Sequence, residues 1–306
     1  MKIRLWGVRG SIPSPGPHTV TYGGNTACIE LRFGTEERLV IIDAGSGIRS
    51  LGDHIMKKDF PKGPIDTDLF LSHTHWDHIM GFPFFTPIFI KNTKLRIHGP
   101  VTYEEDTLDK IVGDQLRYRY FPVRHEELAS NIQYHQLKES TIEMGDGIKV
   151  RTKYLNHPIL CLGYRFEYQG KVFCTAYDTE PFRNVFETNP EAPDYDPVAA
   201  EEGEQAAREE NEKILQFFRG ADLLIHDSQY THKEYVSSKL GWGHTSFEHA
   251  INSAHKANVK KLVLFHHDPN RSDDELSKLE NHYKNILKDK SNMEIECARE
   301  GTEYIL

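Results

Sequence analysis

Ser72-His73-Thr74-His75-Trp76-Asp77-His78 places three imidazoles and a carboxylate straight after the apolar stretch at residues 68–72. His73 and His75 are two apart, so in an extended segment their side chains leave the same face. Asp77 and His78 follow where the chain turns and a helix can begin. Imidazole nitrogen and carboxylate oxygen are good zinc ligands, and manganese or iron is compatible with the same set. Such a cluster suits two adjacent divalent ions. A polar loop with incidental histidines is the bland alternative, but four ionisable groups crowded after a buried strand argue against it.

Upstream of this stretch, residues 2–9, 26–33 and 38–43 read as strands, and 48–58 as a short helix after Gly45 and Gly47. Downstream, residues 94–98, 148–155, 162–168 and 171–176 form a second strand group, with Gln169-Gly170 as a tight turn. Residues 199–218 read as an acidic surface helix with one apolar side at Ile214, Leu215 and Phe218. A strand at 222–226 follows. Thr245-Ser246-Phe247-Glu248 resembles a capping box, opening a helix with Phe247, Ala250, Ile251 and Ala254 on one face. Residues 261–266 predict a strand, 273–288 a helix and 293–297 a last strand. Two strand groups with helices between and after them predict an α/β fold: two mixed sheets packed face to face, helices outside, in one domain over residues 1–306.

The 306 residues are 38% hydrophobic and 27% charged, the composition of an ordinary globular protein. Net charge is −9 with histidine neutral, which disfavours a broad grip on a polyanion. The four cysteines, Cys28, Cys161, Cys174 and Cys297, are far apart and form no CxxC pair. They read as buried thiols of a reducing cytoplasm. No run approaches the roughly 20 apolar residues that cross a bilayer, and the N-terminus lacks a signal-peptide stretch. The expectation is a cytoplasmic chain without a membrane partner.

HTHWDH resembles the HxHxDH signature of the metallo-β-lactamase superfamily. Further matches come in order: His157 at a strand end, Asp178 in Ala176-Tyr177-Asp178-Thr179, and His266 after Leu262-Val263-Leu264-Phe265. The resemblance covers residues 1 to about 270 and is nearest to the branch holding ribonuclease Z and small cyclic phosphodiesterases. That branch shares the turn Gly7-Val8-Arg9-Gly10-Ser11-Ile12-Pro13 and the segment Asp43-Ala44-Gly45-Ser46-Gly47. It implies the αββα sandwich of the metallo-β-lactamase fold. It also implies one divalent ion on His73, His75 and His157, a second on Asp77, His78 and His266, and Asp178 bridging them. Zinc is the expected metal. His267 competes with His266 by position alone; the family's strand-end pattern favours His266. Asp43 reads as a residue that orients a ligating histidine, and Asn25 as a turn residue.

Within the same resemblance, Leu224-Ile225-His226-Asp227-Ser228 matches a segment that supplies an acidic residue, often Glu, and Gly243-His244-Thr245-Ser246 matches a Gly-His-Ser/Thr segment. His244 would protonate the leaving oxygen, and Asp227 would orient it and raise its pKa. His244, Asp227 and Asp77 are the candidate catalytic residues, Asp77 doubling as a ligand. Ribonuclease Z inserts a basic tRNA-gripping arm between the strand-end His and the bridging Asp. Here His157 and Asp178 stand 21 residues apart, which two strands and a turn consume. The expectation is a small phosphodiester, most plausibly a cyclic nucleotide, and no stable nucleic-acid partner. The alternatives are tRNA 3′-processing, hydrolysis of a lactone, thioester or β-lactam, and a non-catalytic metal-binding sensor. All seven ligands being present argues against the sensor. Relatives imply a homodimer. Arg117-Tyr118-Arg119-Tyr120-Phe121-Pro122-Val123 reads equally as a lid that stacks on a base or as a packing or dimer contact, and Phe82, Phe84 and Phe85 as core or pocket wall.

Overall fold

Strands buried on both faces can only lie in the middle of a sheet that is covered twice, and β2 and β3 have that character here. A computed structural model describes residues 1–100, 106–288 and 290–306. Its first sheet contains β1 (Lys2–Gly7), β2 (Cys28–Phe33), β3 (Arg38–Ile42), β4 (Asp66–Phe70), β5 (Lys94–Pro100) and β6 (Asn131–Leu137). The second contains β7 (Thr141–Gly145), β8 (Ile148–Leu155), β9 (Cys161–Tyr168), β10 (Lys171–Ala176), β11 (Leu223–Asp227), β12 (Lys261–Phe265) and β13 (Glu294–Cys297), and β14 (Glu303–Ile305) returns to the first sheet beside β1. Both sheets are mixed. β1 to β3 pair antiparallel and β3 to β6 parallel; β7 to β10 pair antiparallel and β10 to β13 parallel.

One apolar cluster, with Leu31, Val40, Phe70, Val150, Phe166, Phe173, Val263 and Phe265, fills the space between the sheets. A second packs the outer face of the later sheet under α4 (Pro197–Phe218), α6 (Phe247–Lys256) and α7 (Asp273–Leu287). A third packs the earlier sheet under α1 (Ile48–Lys58), with Phe82 and Phe85 inside it. This is the expected helix–sheet–sheet–helix sandwich. Short helices α2 (Trp76–Ile79), α3 (Leu108–Asp114) and α5 (His232–Glu234) lie in the connections between strands. Among the described residues no helix is long and apolar enough to cross a membrane.

The predicted strand boundaries shift for physical reasons. β3 stops before Asp43 and β12 before His266, because those two residues take left-handed backbone angles, φ 58° and 61°. Gln169 and Gly170 both carry positive φ and close the β9–β10 hairpin as a tight turn. The capping-box reading of Thr245–Glu248 is corrected. Ser246 is the cap, accepting from His249 N–H at 3.2 Å, while Glu248 accepts from the His232 amide and the Tyr283 hydroxyl. The edge strands β6, β7 and β14 are absent from the sequence reading: they are short and largely exposed, and a few apolar residues such as Ile132 and Tyr134 or Ile142 and Met144 alternating with polar ones also suit a loop.

Candidate metal centre and active site

β8 and β10 are both antiparallel to β9, so they run the same way, and β11 and β12 run parallel to β10. The carboxyl ends of all four therefore meet at one edge, where sites on parallel sheets are built. His157 lies just beyond β8, Asp178 just beyond β10, Asp227 ends β11 and His266 follows β12. The loop after β4 brings His73, His75, Asp77 and His78 from the other sheet.

Three groups result among the described residues: His73, His75, His157 and Asp178; Asp77, His78, Asp178 and His266; and Asp178, Asp227, His244 and His266. In each, one potential ligand atom per residue lies within 4.8 Å of all the others. Asp178 belongs to all three, and the first two hold the predicted ligands. Its Oδ2 faces His73 Nε2 at 3.3 Å and His157 Nε2 at 3.9 Å, and its Oδ1 faces the Nε2 atoms of His78 and His266 at 3.2 Å each. Asp77 Oδ2 lies 3.1 Å from His266 Nε2. The seven residues named from the sequence are thus brought together. His267 is not among them: its Nε2–H donates to the Ala298 carbonyl at 2.9 Å, and its ring packs edge-on against Tyr22.

The donor set fits a pair of cations. His73 Nε2 and Asp178 Oδ1 are buried without a hydrogen-bond partner, a costly state for polar atoms unless something else satisfies them. Burial pushes His75 down to about 4 and His157 down to about 2, so both are neutral imidazoles with a lone pair to offer. Burial pulls His78 the same way, yet Asp178, Asp77 and Asp43 outweigh it and hold it well above the ordinary value. Asp77 is held well below the carboxylate range by His78 and His266 despite its burial. The cluster demands positive charge at its centre.

Neighbours fix each ring. His78 Nδ1–H donates to Asp43 Oδ2 at 2.7 Å, and Asp43 is itself held by the amide and hydroxyl of Ser72 at 2.7 and 2.8 Å. His157 Nδ1–H donates to the Gly243 carbonyl at 3.0 Å. The Ser11 amide donates to Asp77 Oδ2 at 2.7 Å. Bonds of this type aim the remaining ring nitrogen or oxygen at a metal. Asp43, Asp178 and His266 all carry positive φ, the kind of strain that collects at functional sites. Two glycines permit the close packing. A Cβ on Gly10 would lie 2.3 Å from the His266 ring, and one on Gly243 2.2 Å from His157 Nδ1.

Beside this cluster His244 Nδ1–H donates to Asp227 Oδ2 at 2.9 Å, and its ring stacks on His266 at 4.9 Å. Asp227 is fully buried and also accepts from the amides of Thr179 and Gln229. Burial alone would lower His244; the charge and hydrogen bond of Asp227 instead raise it to about 9. It is an imidazolium at neutral pH whose Nε2 has no protein partner among the described residues.

Glu180 went unread in the sequence. Its Oε2 accepts from the Tyr235 hydroxyl at 2.9 Å and the Gly241 amide at 3.0 Å, tethering the π-helical turn Tyr235–Lys239 and the loop that leads into His244. Only its place two residues after Asp178 hinted at a role. Asn25 binds Glu300 and Ser46 and stays away from the cluster.

Residues 21–151 match the model of the metallo-beta-lactamase superfamily. A ribonuclease Z of Lactococcus lactis is 27% identical over 228 residues, covering 65% of this chain and 70% of that one. The solved structure of human tRNase Z, short form, has a TM-score of 0.62 at 18% identity and covers 100% of this chain and 99% of its own. Unliganded yeast PDE1 has a TM-score of 0.64 at 14% identity, with the same coverage. The two structures speak for the fold, and the matched model and the ribonuclease Z sequence for descent. The chain thus carries a metallo-beta-lactamase superfamily domain, is similar to ribonuclease Z, and is a metal-dependent hydrolase.

Proposed function

We propose that this hydrolase cleaves a small phosphodiester, most plausibly a cyclic nucleotide, in one domain spanning residues 1–306. The observation that carries the reading is the His244–Asp227 pair set against the ligand cluster. A phosphodiester leaves an alkoxide, which departs readily only when protonated. His244, charged at neutral pH and with no protein partner for Nε2 among the described residues, is built to donate that proton; Asp227 holds the tautomer and stabilises the charge.

In this reading His73, His75 and His157 hold one divalent cation, Asp77, His78 and His266 the other, with Asp178 between them, and zinc suits the histidine-rich set. Such a pair, when bound, activates water for attack near neutral pH and offsets charge on the phosphoryl oxygens. Asp77, fixed by the Ser11 amide, and Asp178 keep the acidic face of the cluster ionised. Gly10 and Gly243 keep the rings within reach of one another.

The size of the substrate is inferred from the link between His157 and Asp178. β9, β10 and a two-residue turn occupy it, leaving no length for an RNA-gripping arm. The names of relatives support a second reading, an endoribonuclease acting on tRNA, since a ribonuclease Z and a tRNase Z both resemble the chain. A turnover screen with zinc or manganese decides, using bis(p-nitrophenyl) phosphate, cyclic nucleotides, a tRNA precursor, a lactone and a β-lactam. Turnover of the diesters, cyclic nucleotides above all, is expected. Efficient cleavage of the tRNA precursor, or activity confined to the lactone or β-lactam, overturns the proposal.

A further inference from the structure

Glu180 is buried two residues beyond Asp178, and among the described residues no basic side chain comes within ion-pair distance of it. A carboxyl group in such a place is costly unless hydrogen bonds satisfy it. Its Oε2 receives two, from the Tyr235 hydroxyl and the Gly241 amide. Apolar groups of the same shape could fill the space at little cost to stability, so what the carboxyl adds is direction. Asp178, Thr179 and Glu180 address three parts of the site in turn. Asp178 faces the ligating imidazoles. The Thr179 amide donates to Asp227 Oδ2 at 3.2 Å, the oxygen that also holds His244. Glu180 holds the loop at 235–243, and its own amide donates to the Asn156 carbonyl at 3.0 Å, just before His157. Asn156 Nδ2 closes the link by donating to the Pro181 carbonyl at 3.1 Å.

That loop needs an anchor. Its outer side is open, with Leu240 43% and Trp242 56% exposed. The Trp242 amide donates to the Lys239 carbonyl at 3.2 Å and the Ser237 hydroxyl to the Glu234 carbonyl at 3.0 Å, contacts within the same stretch. Gly241 and Gly243 take φ of 83° and 79°, which glycine adopts without strain. A single bond ties each to the body of the site: Gly241 to Glu180, and Gly243 to His157. Gly241 stands three residues before His244, at most about 11 Å of extended chain. The two bonds therefore set the direction from which the backbone delivers His244, and a small error in that direction moves a reacting group out of reach.

We propose that Glu180 is a positioning residue: through the Tyr235 hydroxyl and the Gly241 amide it fixes the loop that sets His244 against the metal centre. The proposal rests on the phosphodiesterase reading, in which His244 protonates the leaving oxygen. It makes the aim of that proton depend on a side chain that touches neither substrate nor metal.

The test compares the metal-reconstituted full chain with Glu180→Ala, Glu180→Gln and Tyr235→Phe on a cyclic nucleotide, whose alkoxide needs a proton, and on bis(p-nitrophenyl) phosphate, whose leaving group does not. Glu180→Ala should lower kcat for the cyclic nucleotide by about 10–100-fold, with KM and metal content unchanged and kcat for the p-nitrophenyl diester within about twofold of the parent. Glu180→Gln keeps an oxygen able to accept both hydrogen bonds and should recover most of the loss, while Tyr235→Phe removes one bond and should fall between. Equal losses on both diesters, or a loss of metal, would show Glu180 supporting the fold or the ligands and overturn the proposal; so would a Glu180→Ala variant that matches the parent. If Glu180→Ala does not fold, Tyr235→Phe carries the same comparison, and no loss or an unselective one overturns the proposal there. His244→Ala measured alongside separates this proposal from the reading beneath it. A selective loss in His244→Ala with none in the Glu180 variants sinks the positioning role alone. No selectivity in His244→Ala, or no diester turnover by the parent, removes the proton-donor reading and the positioning role with it.

Discussion

His244 differs from the other histidines of the cluster because Asp227 holds it charged while burial keeps His75 and His157 neutral. In the proposed reading that difference separates proton donation from metal ligation, and it is open to experiment. His244→Ala should keep its metal yet lower turnover of a diester with a poor leaving group by about 10²–10³. Turnover of a p-nitrophenyl diester, whose leaving group needs no proton, should fall far less; equal losses would contradict the assignment. Gly10 offers a second test. Its α-carbon sits so close to His266 that Gly10→Ala must push the ring aside. The variant should bind less metal and lose most activity; unchanged metal content would show that the contact is unimportant. At this scale the sequence was legible where ligands sit side by side, as in His73 to His78. The turn holding Gly10 and Ser11 stood out in it without a role for either residue, and Glu180 did not stand out at all; their partners lie up to 256 positions away, as His266 does from Gly10.

Among the elements, β4 shows how the site's edge of the first sheet is kept in register. Asp68 accepts from Arg96 at 2.8 and 2.9 Å and from His98 at 2.9 Å on β5, with Arg38 of β3 at 3.6 Å. Burial opposes its ionisation, but the hydrogen bonds of His98 and Arg96 outweigh that and hold Asp68 well below the usual carboxylate range. A carboxylate with a depressed folded-state pKa stabilises fully above its unfolded value, about 3.9, and that contribution drains away as pH falls below it. Asp68→Asn should therefore cost about 1–3 kcal/mol at pH 7. In denaturant melts the gap between parent and variant should narrow below about pH 4; a gap independent of pH would refute the role. The central strands were legible because covered parallel strands are continuous apolar runs, as in β3, β11 and β12. The edges β6, β7 and β14 were not, because an edge strand's polar alternation also suits a loop.

At the scale of the molecule, the candidate ligands come from both sheets: His73 to His78 follow β4, while His157, Asp178 and His266 follow β8, β10 and β12. Cations bound there would clasp the two layers across their shared edge, and a ligand that binds only the folded state raises its stability. Chelation should lower the melting temperature and abolish turnover, with zinc or manganese restoring both; a melting temperature indifferent to chelator would place the metals outside the fold's support. The sandwich itself was legible from two strand groups and their helices, whereas the meeting of the ligands was legible only through the signature's resemblance, since periodicity says nothing of which loops share an edge. Metal analysis of the reconstituted chain and of Asp178→Ala tests the centre most directly. The parent should hold about two divalent ions per chain and the variant about one or fewer. A parent that binds none, or a variant that keeps two, would contradict a paired-cation centre joined by Asp178.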